Sequence, residues 1–257
     1  LRGDCAPVRS ASSSQRRHLF WRHLGGLRRP TFQPGGRVRL AFDRVHMMND
    51  DTTRIANRLQ GAGARVSDAQ LHQLGEYLAL LRRWNARMNL TALDEPDNAV
   101  DRLIVEPVVA SAAIDASARV LVDIGSGGGS PAIPLKVARP ELALTMIEVK
   151  TRKSVFLREV VRHLGLVEAS VETGRFEQVL SCPGMHGSVD VISIRAVRAD
   201  VEHVQLFGAA LRPQGQQLWF LSGAQPQPEV LAPLKIEREV PLVTALDSRL
   251  LLIRKHT

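Results

Sequence analysis

The sequence predicts an α/β protein in which a three-layer, doubly wound, mainly parallel seven-stranded sheet follows an N-terminal helical cap. Three observations support this fold class. Short apolar runs alternate with helix-like segments through the second half of the chain, a pattern typical of parallel sheets with helices on both faces. Two helical segments precede the first strand. A glycine-rich turn directly follows that strand, where sheets of this kind bind ligands.

The helical cap is predicted from two segments. Ser67 and Gln70 have the spacing of a capping box, so a first helix should start after Ser67 and end near Asn85. Leucines at helical spacing form its apolar stripe: Leu71, Leu74, Leu78 and Leu81. A second helix is predicted over 97–113, with a kink at Pro107.

The sheet domain is predicted to occupy residues 116–257, after a cap that covers 47–115. Strands are predicted at 119–124, 142–148, 168–173, 189–194, 216–222, 235–243 and 249–254, and helices at 131–139, 151–164 and 200–211. The crossovers between parallel strands should be right-handed.

Composition excludes several classes of protein. The 257 residues are 44% hydrophobic, which suits one ordinary globular domain, and no apolar stretch is long enough to span a bilayer. Cys5 and Cys182 are too few for a disulfide framework or a metal cage, so we predict no metal site and a reducing, cytoplasmic setting.

The net charge of +8 lies in the N-terminal leader, residues 1–46, which hold ten arginines against Asp4 and Asp43. Residues 47–257 carry equal numbers of basic and acidic side chains. Basicity is therefore no evidence that the folded domain binds nucleic acid. We expect a disordered leader and leave three interpretations open: a nucleic-acid-binding arm, a transit peptide, or non-native upstream sequence, which the Met47-Met48 pair favours.

Glycines at alternate positions follow the first strand: Gly125, Gly127 and Gly129. Glycine permits positive φ and places no Cβ in the way of a ligand. Dinucleotide sites use G-x-G-x-x-G, which docks a pyrophosphate on a helix N-terminus, but here the third position after Gly127 is Ser130. The spacing favours S-adenosylmethionine, which needs no phosphate cradle.

Residues at later strand ends complete this predicted site. Glu148 ends the second strand, where its carboxylate can accept hydrogen bonds from both ribose hydroxyls. Phe176 and Glu177 follow the third strand, and an aromatic ring beside an acid suits adenine, which has a flat face and an amino group.

Four segments carry a family resemblance: LVDIGSGGGSPAIPL at 121–135, TMIEVKTRKSVFLREVVRHLGL at 145–166, VDVISIRAV at 189–197 and WNARMNLTAL at 84–93. Together they closely resemble the ribosomal RNA small subunit methyltransferase G family, also called glucose-inhibited division protein B. The resemblance covers about residues 67–257.

The resemblance implies a class I, Rossmann-like methyltransferase that transfers a methyl group from S-adenosylmethionine to N7 of a guanine in 16S rRNA. We expect a monomer that acts on the small ribosomal subunit or its precursor. The implied cofactor contacts are Gly125, Ser130, Glu148, Phe176, Glu177 and Arg195, beside Gly127 and Gly129. No catalytic acid or base is expected. Arg195 is the candidate for substrate orientation, through the methionine carboxylate, the guanine O6 or a phosphate.

Departures from the family pattern keep alternatives open. Ser130 replaces a bulky apolar residue and Ala132 a glycine, and the sequence at 101–107 lacks the usual Arg-His and Asp-Ser. A related methyltransferase on another substrate, or a non-catalytic ribosome-assembly module, would also fit. Arg152 and Lys153 oppose a helix dipole, which suggests either RNA phosphate contact or a surface salt bridge.

Overall fold

The computed structural model describes residues 50–91, 95–223, 225 and 227–256. The leader 1–46 lies outside the described residues, so its three interpretations stay open, and the end of the motif at 84–93 is likewise outside them. None of the helices in the described part of the chain is long and apolar enough to cross a membrane.

A single seven-stranded sheet forms the centre of the molecule. Its strands, in chain order, are β1 Val120–Ile124, β2 Ala143–Glu148, β3 Ala169–Thr173, β4 Val189–Arg195, β5 Leu211–Ser222, β6 Leu234–Pro241 and β7 Ser248–Lys255. The spatial order is β3-β2-β1-β4-β5-β7-β6. Neighbouring strands from β3 to β5 pair in parallel, and β7 runs antiparallel to both β5 and β6. The predicted fold class is confirmed.

The strands lie within a few residues of their predicted positions. The largest difference is β5, which begins at Leu211 rather than 216 because Leu211 pairs with Val189 ahead of an irregular stretch. Gln214 in that stretch has a φ of 65°, so the pairing resumes in regular form only from Gln216.

Helices lie along the chain as follows: α1 50–61, α2 Asp68–Met88, α3 Pro96–Val100, a π-helical segment Asp101–Val105, α4 Glu106–Ala110, α5 Ala132–Ala138, α6 Thr151–His163, α7 Phe176–Leu180 and α8 Val201–Ala210. Alternate residues of β1 face opposite layers. Leu121 packs with α5, α6 and the cap, and Val122 packs with α7 and α8. Two cores on the two sheet faces make the doubly wound, three-layer arrangement.

The long cap helix α2 begins as its sequence indicates. Ser67 and Gln70 form the capping box, and the same Gln70 donates from Nε2 to the carbonyl of Val137 at 2.8 Å. The helix runs to Met88, beyond the predicted end, because Asn89 closes it in the left-handed conformation with its N–H on the carbonyl of Asn85. One residue therefore starts the helix and docks it on α5.

The second predicted cap helix is helical throughout but changes type. The N–H of Glu106 donates to the carbonyl of Asp101, five residues back, so Asp101–Val105 is a π-helical segment. Pro107 follows directly, and proline cannot donate a backbone hydrogen bond. The predicted irregularity at Pro107 therefore takes the form of a π-helical segment just before it.

Helix α1 was not predicted from the sequence. Its Ile55 and Leu59 are buried, and ion pairs hold the rest of it: Arg58 with Asp101, and Asp51 with Arg82. Its periodic signal in the sequence is weak, since two apolar positions define its inner face. Long-range charge pairs, which are invisible in the sequence, complete its attachment to the cap.

Candidate functional site

The turn between β1 and α5 lies at the carboxyl edge of the parallel strands. The N–H of Ser126 donates to the carbonyl of Ile147 in β2 at 3.1 Å, and that of Gly129 to the carbonyl of Ser126 at 2.7 Å. Gly125 has a φ of +66°, and a Cβ atom there would lie 2.8 Å from Cγ2 of Val197, which follows β4. The turn is thus held between the ends of three strands.

Glu148 fixes this turn from the end of β2. Its Oε2 accepts a hydrogen bond from the N–H of Gly127 at 2.8 Å, and its Oε1 accepts one from the N–H of Lys150 at 2.8 Å. The residue is 5% exposed. A carboxylate has about four acceptor positions, so Glu148 can also accept hydrogen bonds from ligand hydroxyl groups.

The later glycines face different surroundings. A Cβ at Gly127 would have the carbonyl oxygen of Gly125 as its nearest neighbour, at 3.7 Å, with Nζ of Lys153 at 3.8 Å. A Cβ at Gly129 would lie 3.0 Å from Cγ1 of Ile133, within the protein interior. Gly127 therefore leaves space for a ligand, whereas Gly129 lets the turn pack against α5.

The cap lies directly against the same turn. The hydroxyl of Tyr77, which is fully buried in α2, donates to the carbonyl of Gly128 at 2.8 Å. A Cβ at Gly128 would lie 3.3 Å from Cδ1 of Leu81 and 3.7 Å from the carbonyl oxygen of Leu90. The segment that follows α2 thus contacts the glycine turn.

Asp123, the penultimate residue of β1, is a buried acid that was not predicted from the sequence to be a site residue. Its Oδ1 accepts a hydrogen bond from the hydroxyl of Ser193 at 2.5 Å. Its Oδ2 is buried without a hydrogen-bond partner among the described residues. Burial raises the pKa of Asp123 to about 6, against the opposing effect of the serine hydroxyls. A cationic ligand group would stabilise the charged form.

The raised pKa predicts how stability depends on pH. The folded pKa of about 6 exceeds the ordinary aspartate value of 3.8, so folding favours the protonated acid. The contribution of Asp123 to the free energy of unfolding is then fully present below pH ~4. It decreases by about 3 kcal/mol as the pH rises to about 6. Urea denaturation from pH 4 to 7 should show this fall in the wild type relative to Asp123→Asn. Parallel curves for the two proteins would contradict the assignment.

Arg195 ends β4 and joins the site to the cap. Its Nη2 donates to Oε2 of Glu106 at 2.7 Å, and its Nη1 donates to the hydroxyl of Ser130 at 3.2 Å and to the carbonyl of Arg102. Its guanidinium lies 4.5 Å from the ring centroid of Phe220. Burial lowers its pKa, and Glu106 opposes that effect.

Phe176 and Glu177 lie at the start of α7, after β3. The ring of Phe176 packs edge-on against His203, with centroids 5.2 Å apart. Oε1 of Glu177 is 3.7 Å from Nε2 of His203 and 3.4 Å from Nη2 of Arg175. The N–H of Gly174 donates to the carbonyl of Glu148 at 3.2 Å. This hydrogen bond ties the turn before α7 to the end of β2.

The predicted site residues thus form three groups. The glycine turn and its acidic partner form the first group: Gly125, Gly127, Gly129 and Glu148. Ser130 and Arg195 lie together against the cap, and Phe176 and Glu177 lie beside His203. In the sequence, Asp123 is distinguished only as the acid before the glycines. Glu106 lies in the segment that departs from the family pattern.

Sequence comparisons point to one family. The profile described as rRNA small subunit methyltransferase G matches residues 70–239. A relative named ribosomal RNA small subunit methyltransferase G, from Cupriavidus necator, is 36% identical over 71% of this chain and 82% of its own length. One of the same name from Sorangium cellulosum is 38% identical over 63% of this chain and 68% of its own.

A structural comparison supports the fold alone. A SAM-dependent methyltransferase from Aquifex aeolicus superposes with a TM-score of 0.50 at 16% identity, over 66% of this chain and 97% of that one.

Proposed function

Because the chain belongs to the rRNA small subunit methyltransferase G family, we propose that it transfers a methyl group from S-adenosylmethionine to N7 of a guanine in 16S rRNA. We further propose that it acts as a cytoplasmic monomer on the small ribosomal subunit or its precursor. The observation that carries the proposal is the glycine turn held by Glu148 at the carboxyl edge of the sheet.

The residues of this turn fit S-adenosylmethionine. Gly127 leaves open space where a side chain would otherwise stand, and Glu148 keeps acceptor positions for the two ribose hydroxyls. The unpartnered Oδ2 of Asp123 offers a negative charge to the cationic methionine end. We assign the adenine to the side of Phe176 and Glu177, where the ring and the carboxylate match its flat face and amino group.

Ser130 and Arg195 border the other end of this site. We propose that Ser130 and Arg195 form one wall of the cofactor site and orient the guanine, since the guanidinium of Arg195 lies beside the hydroxyl of Ser130. Ser130 is smaller than the bulky apolar residue usual in the family. A smaller residue here leaves more room beside the methionine group.

Transfer to guanine N7 needs little acid–base chemistry from the protein. Bound S-adenosylmethionine supplies a methyl group on a positively charged sulfur. Guanine N7 has an in-plane lone pair and no proton, so no general base is required. The residues of the chain must hold the two reactants in line and provide a fixed electrostatic field.

Lys153 is a candidate contact for the RNA backbone. It is half-buried, its Nζ lies near Gly127, and no ion pair or hydrogen bond to it occurs within the described residues. The salt-bridge interpretation of Lys153 therefore has no partner there. Since an unpaired cation at the opening of a site attracts phosphate, we assign Lys153 to the RNA.

A methylation assay tests the proposed function. Undermethylated small ribosomal subunits are incubated with the protein and methyl-labelled S-adenosylmethionine, and N7-methylguanine is mapped in the 16S rRNA. We expect label at one guanine. Cofactor binding without label in rRNA would reject the proposal and favour either another substrate or a non-catalytic module. Free 16S rRNA and assembled subunits, run in parallel, identify the preferred form of the substrate.

A further inference from the structure

The segment 101–107, which departs from the family pattern, forms the surface of the cap that contacts Ser130 and Arg195. Glu106 accepts a hydrogen bond from the guanidinium of Arg195 at 2.7 Å. The carbonyl of Arg102 accepts from the same guanidinium, and that of Leu103 accepts from the hydroxyl of Ser130 at 2.9 Å. The residues that differ from the family pattern therefore form hydrogen bonds with Ser130 and Arg195, beside the proposed cofactor turn.

Pro107 explains why these two carbonyls are available. In the i→i+5 pattern that the N–H of Glu106 follows, the carbonyl of Arg102 would pair with residue 107. In the ordinary i→i+4 pattern, the carbonyl of Leu103 would pair with the same residue. Proline has no N–H, so neither pairing can form. Each of these carbonyls thereby loses one possible donor within the helix, and Arg195 and Ser130 donate to them instead.

Glu106 adds the matching charge. The side chains of Arg195 and Glu106 are 12% and 5% exposed, so each ion depends on the other, and loss of one leaves a buried unpaired charge. Short π-helical segments often occur at functional sites. Here Arg102 and Leu103 of the π-helical segment present their carbonyls, and Glu106 at the start of α4 presents its carboxylate, to the end of β4 and to the residue after the glycines.

We propose that Glu106 and Pro107 are positioning residues for the cofactor turn, which they hold through Arg195 and Ser130. The acidic side chain keeps the guanidinium in place, and the proline keeps the carbonyls free to receive Arg195 and Ser130. Both residues act on the turn through Arg195 and Ser130. The inference deepens the proposed function and rests on it for the identity of the ligand, but the positioning itself can be measured without ligand.

Hydrogen exchange of the ligand-free full chain tests the positioning directly. The N–H of Gly127 donates to Glu148 and that of Gly129 to the carbonyl of Ser126, so their exchange reports the opening of the turn. For Glu106→Gln, which keeps size and removes charge, we expect exchange in 125–130 to rise about tenfold, the change for ~1.4 kcal/mol. Affinity for S-adenosylmethionine, measured by calorimetry, should fall by a similar factor.

A matched control separates positioning from loss of cap stability. Asp51 is another 5%-exposed acid, paired with Arg82 between α1 and α2. Asp51→Asn should lower the melting temperature and leave both exchange in 125–130 and cofactor affinity unchanged. Equal effects of Asp51→Asn and Glu106→Gln on the turn would overturn the inference, because any weakening of the cap would then suffice.

Pro107→Ala decides the question if Glu106→Gln does not fold. Alanine restores an N–H that competes for the carbonyls of Arg102 and Leu103 while improving the helix. We expect a melting temperature at or above that of the wild type, with exchange in 125–130 about threefold faster, or ~0.6 kcal/mol. Wild-type exchange in this variant would overturn the inference. Faster exchange in the variant, together with a wild-type protein that does not bind S-adenosylmethionine, would instead uphold the positioning and reject the proposed function.

Discussion

Replacing Gly125 by aspartate should weaken S-adenosylmethionine binding at least about thirtyfold. A side chain at φ +66° costs about 1–2 kcal/mol, and crowding in a packed site costs about 1–3 kcal/mol more. The crowding arises because the new Cβ would lie 2.8 Å from Cγ2 of Val197. The added carboxylate would also lie in the turn that Glu148 contacts through the N–H of Gly127, so the two negative charges would repel each other.

Calorimetric titration with S-adenosylmethionine checks this result, and Gly187→Asp is the matched control. Gly187 also has a positive φ, +61°, but a Cβ added there would meet no atom within 4 Å. It precedes β4, at the opposite edge of the sheet from Gly125. The control variant carries the same charge and a similar backbone cost but should bind like the wild type. Retained binding by Gly125→Asp would show that the cofactor site lies elsewhere.

Replacing Glu148 by glutamine should weaken cofactor binding about 10- to 100-fold. Glutamine has one side-chain oxygen, so the N–H of Gly127 or that of Lys150 loses its charged acceptor, and hydrogen bonds to charged groups contribute about 1.5–3 kcal/mol. The neutral amide is also a weaker acceptor for ribose hydroxyls than the carboxylate. Since the turn and the ligand depend on the same side chain, melting temperature and affinity should both fall.

Glu172→Gln provides the comparison for this second variant. Glu172 is an exposed acid on β3, paired in register with Ile147 next to Glu148. Its neutralisation removes the same charge from the adjacent strand and should leave cofactor affinity within about twofold, as surface substitutions usually do. Similar losses in both variants would mean that general electrostatics, and not Glu148 itself, attracts the ligand.

Much of the fold could be predicted because its signals are local. The capping box of Ser67 and Gln70 and the alternation of buried strands with helices need no knowledge of distant contacts. The extension of β5 back to Leu211 and the helix α1 could not be predicted in the same way. Both depend on partners far along the chain: Val189 for β5, and Asp101 and Arg82 for α1.

The same distinction between local signals and distant contacts applies to the residues of the candidate site. Gly125 and Glu148 could be predicted to be site residues from the rule that parallel strands end at a common edge of the sheet. The sequence did not reveal that Gly129 packs against Ile133, or that Asp123 is buried with an unpartnered oxygen. Burial depends on what the rest of the chain places around a residue, and so does a raised pKa.

The fold class, the family and the ligand-binding edge of the sheet could be predicted from the chain alone, because periodicity and motif spacing are properties of neighbouring residues. The use of the unusual segment 101–107 could be seen only in the folded protein. The carboxylate of Glu106 and the carbonyls of Arg102 and Leu103 have their partners in Arg195 and Ser130, far away in sequence. Such pairings exist only after the cap has packed on the sheet, since burial there makes each unpaired polar group costly.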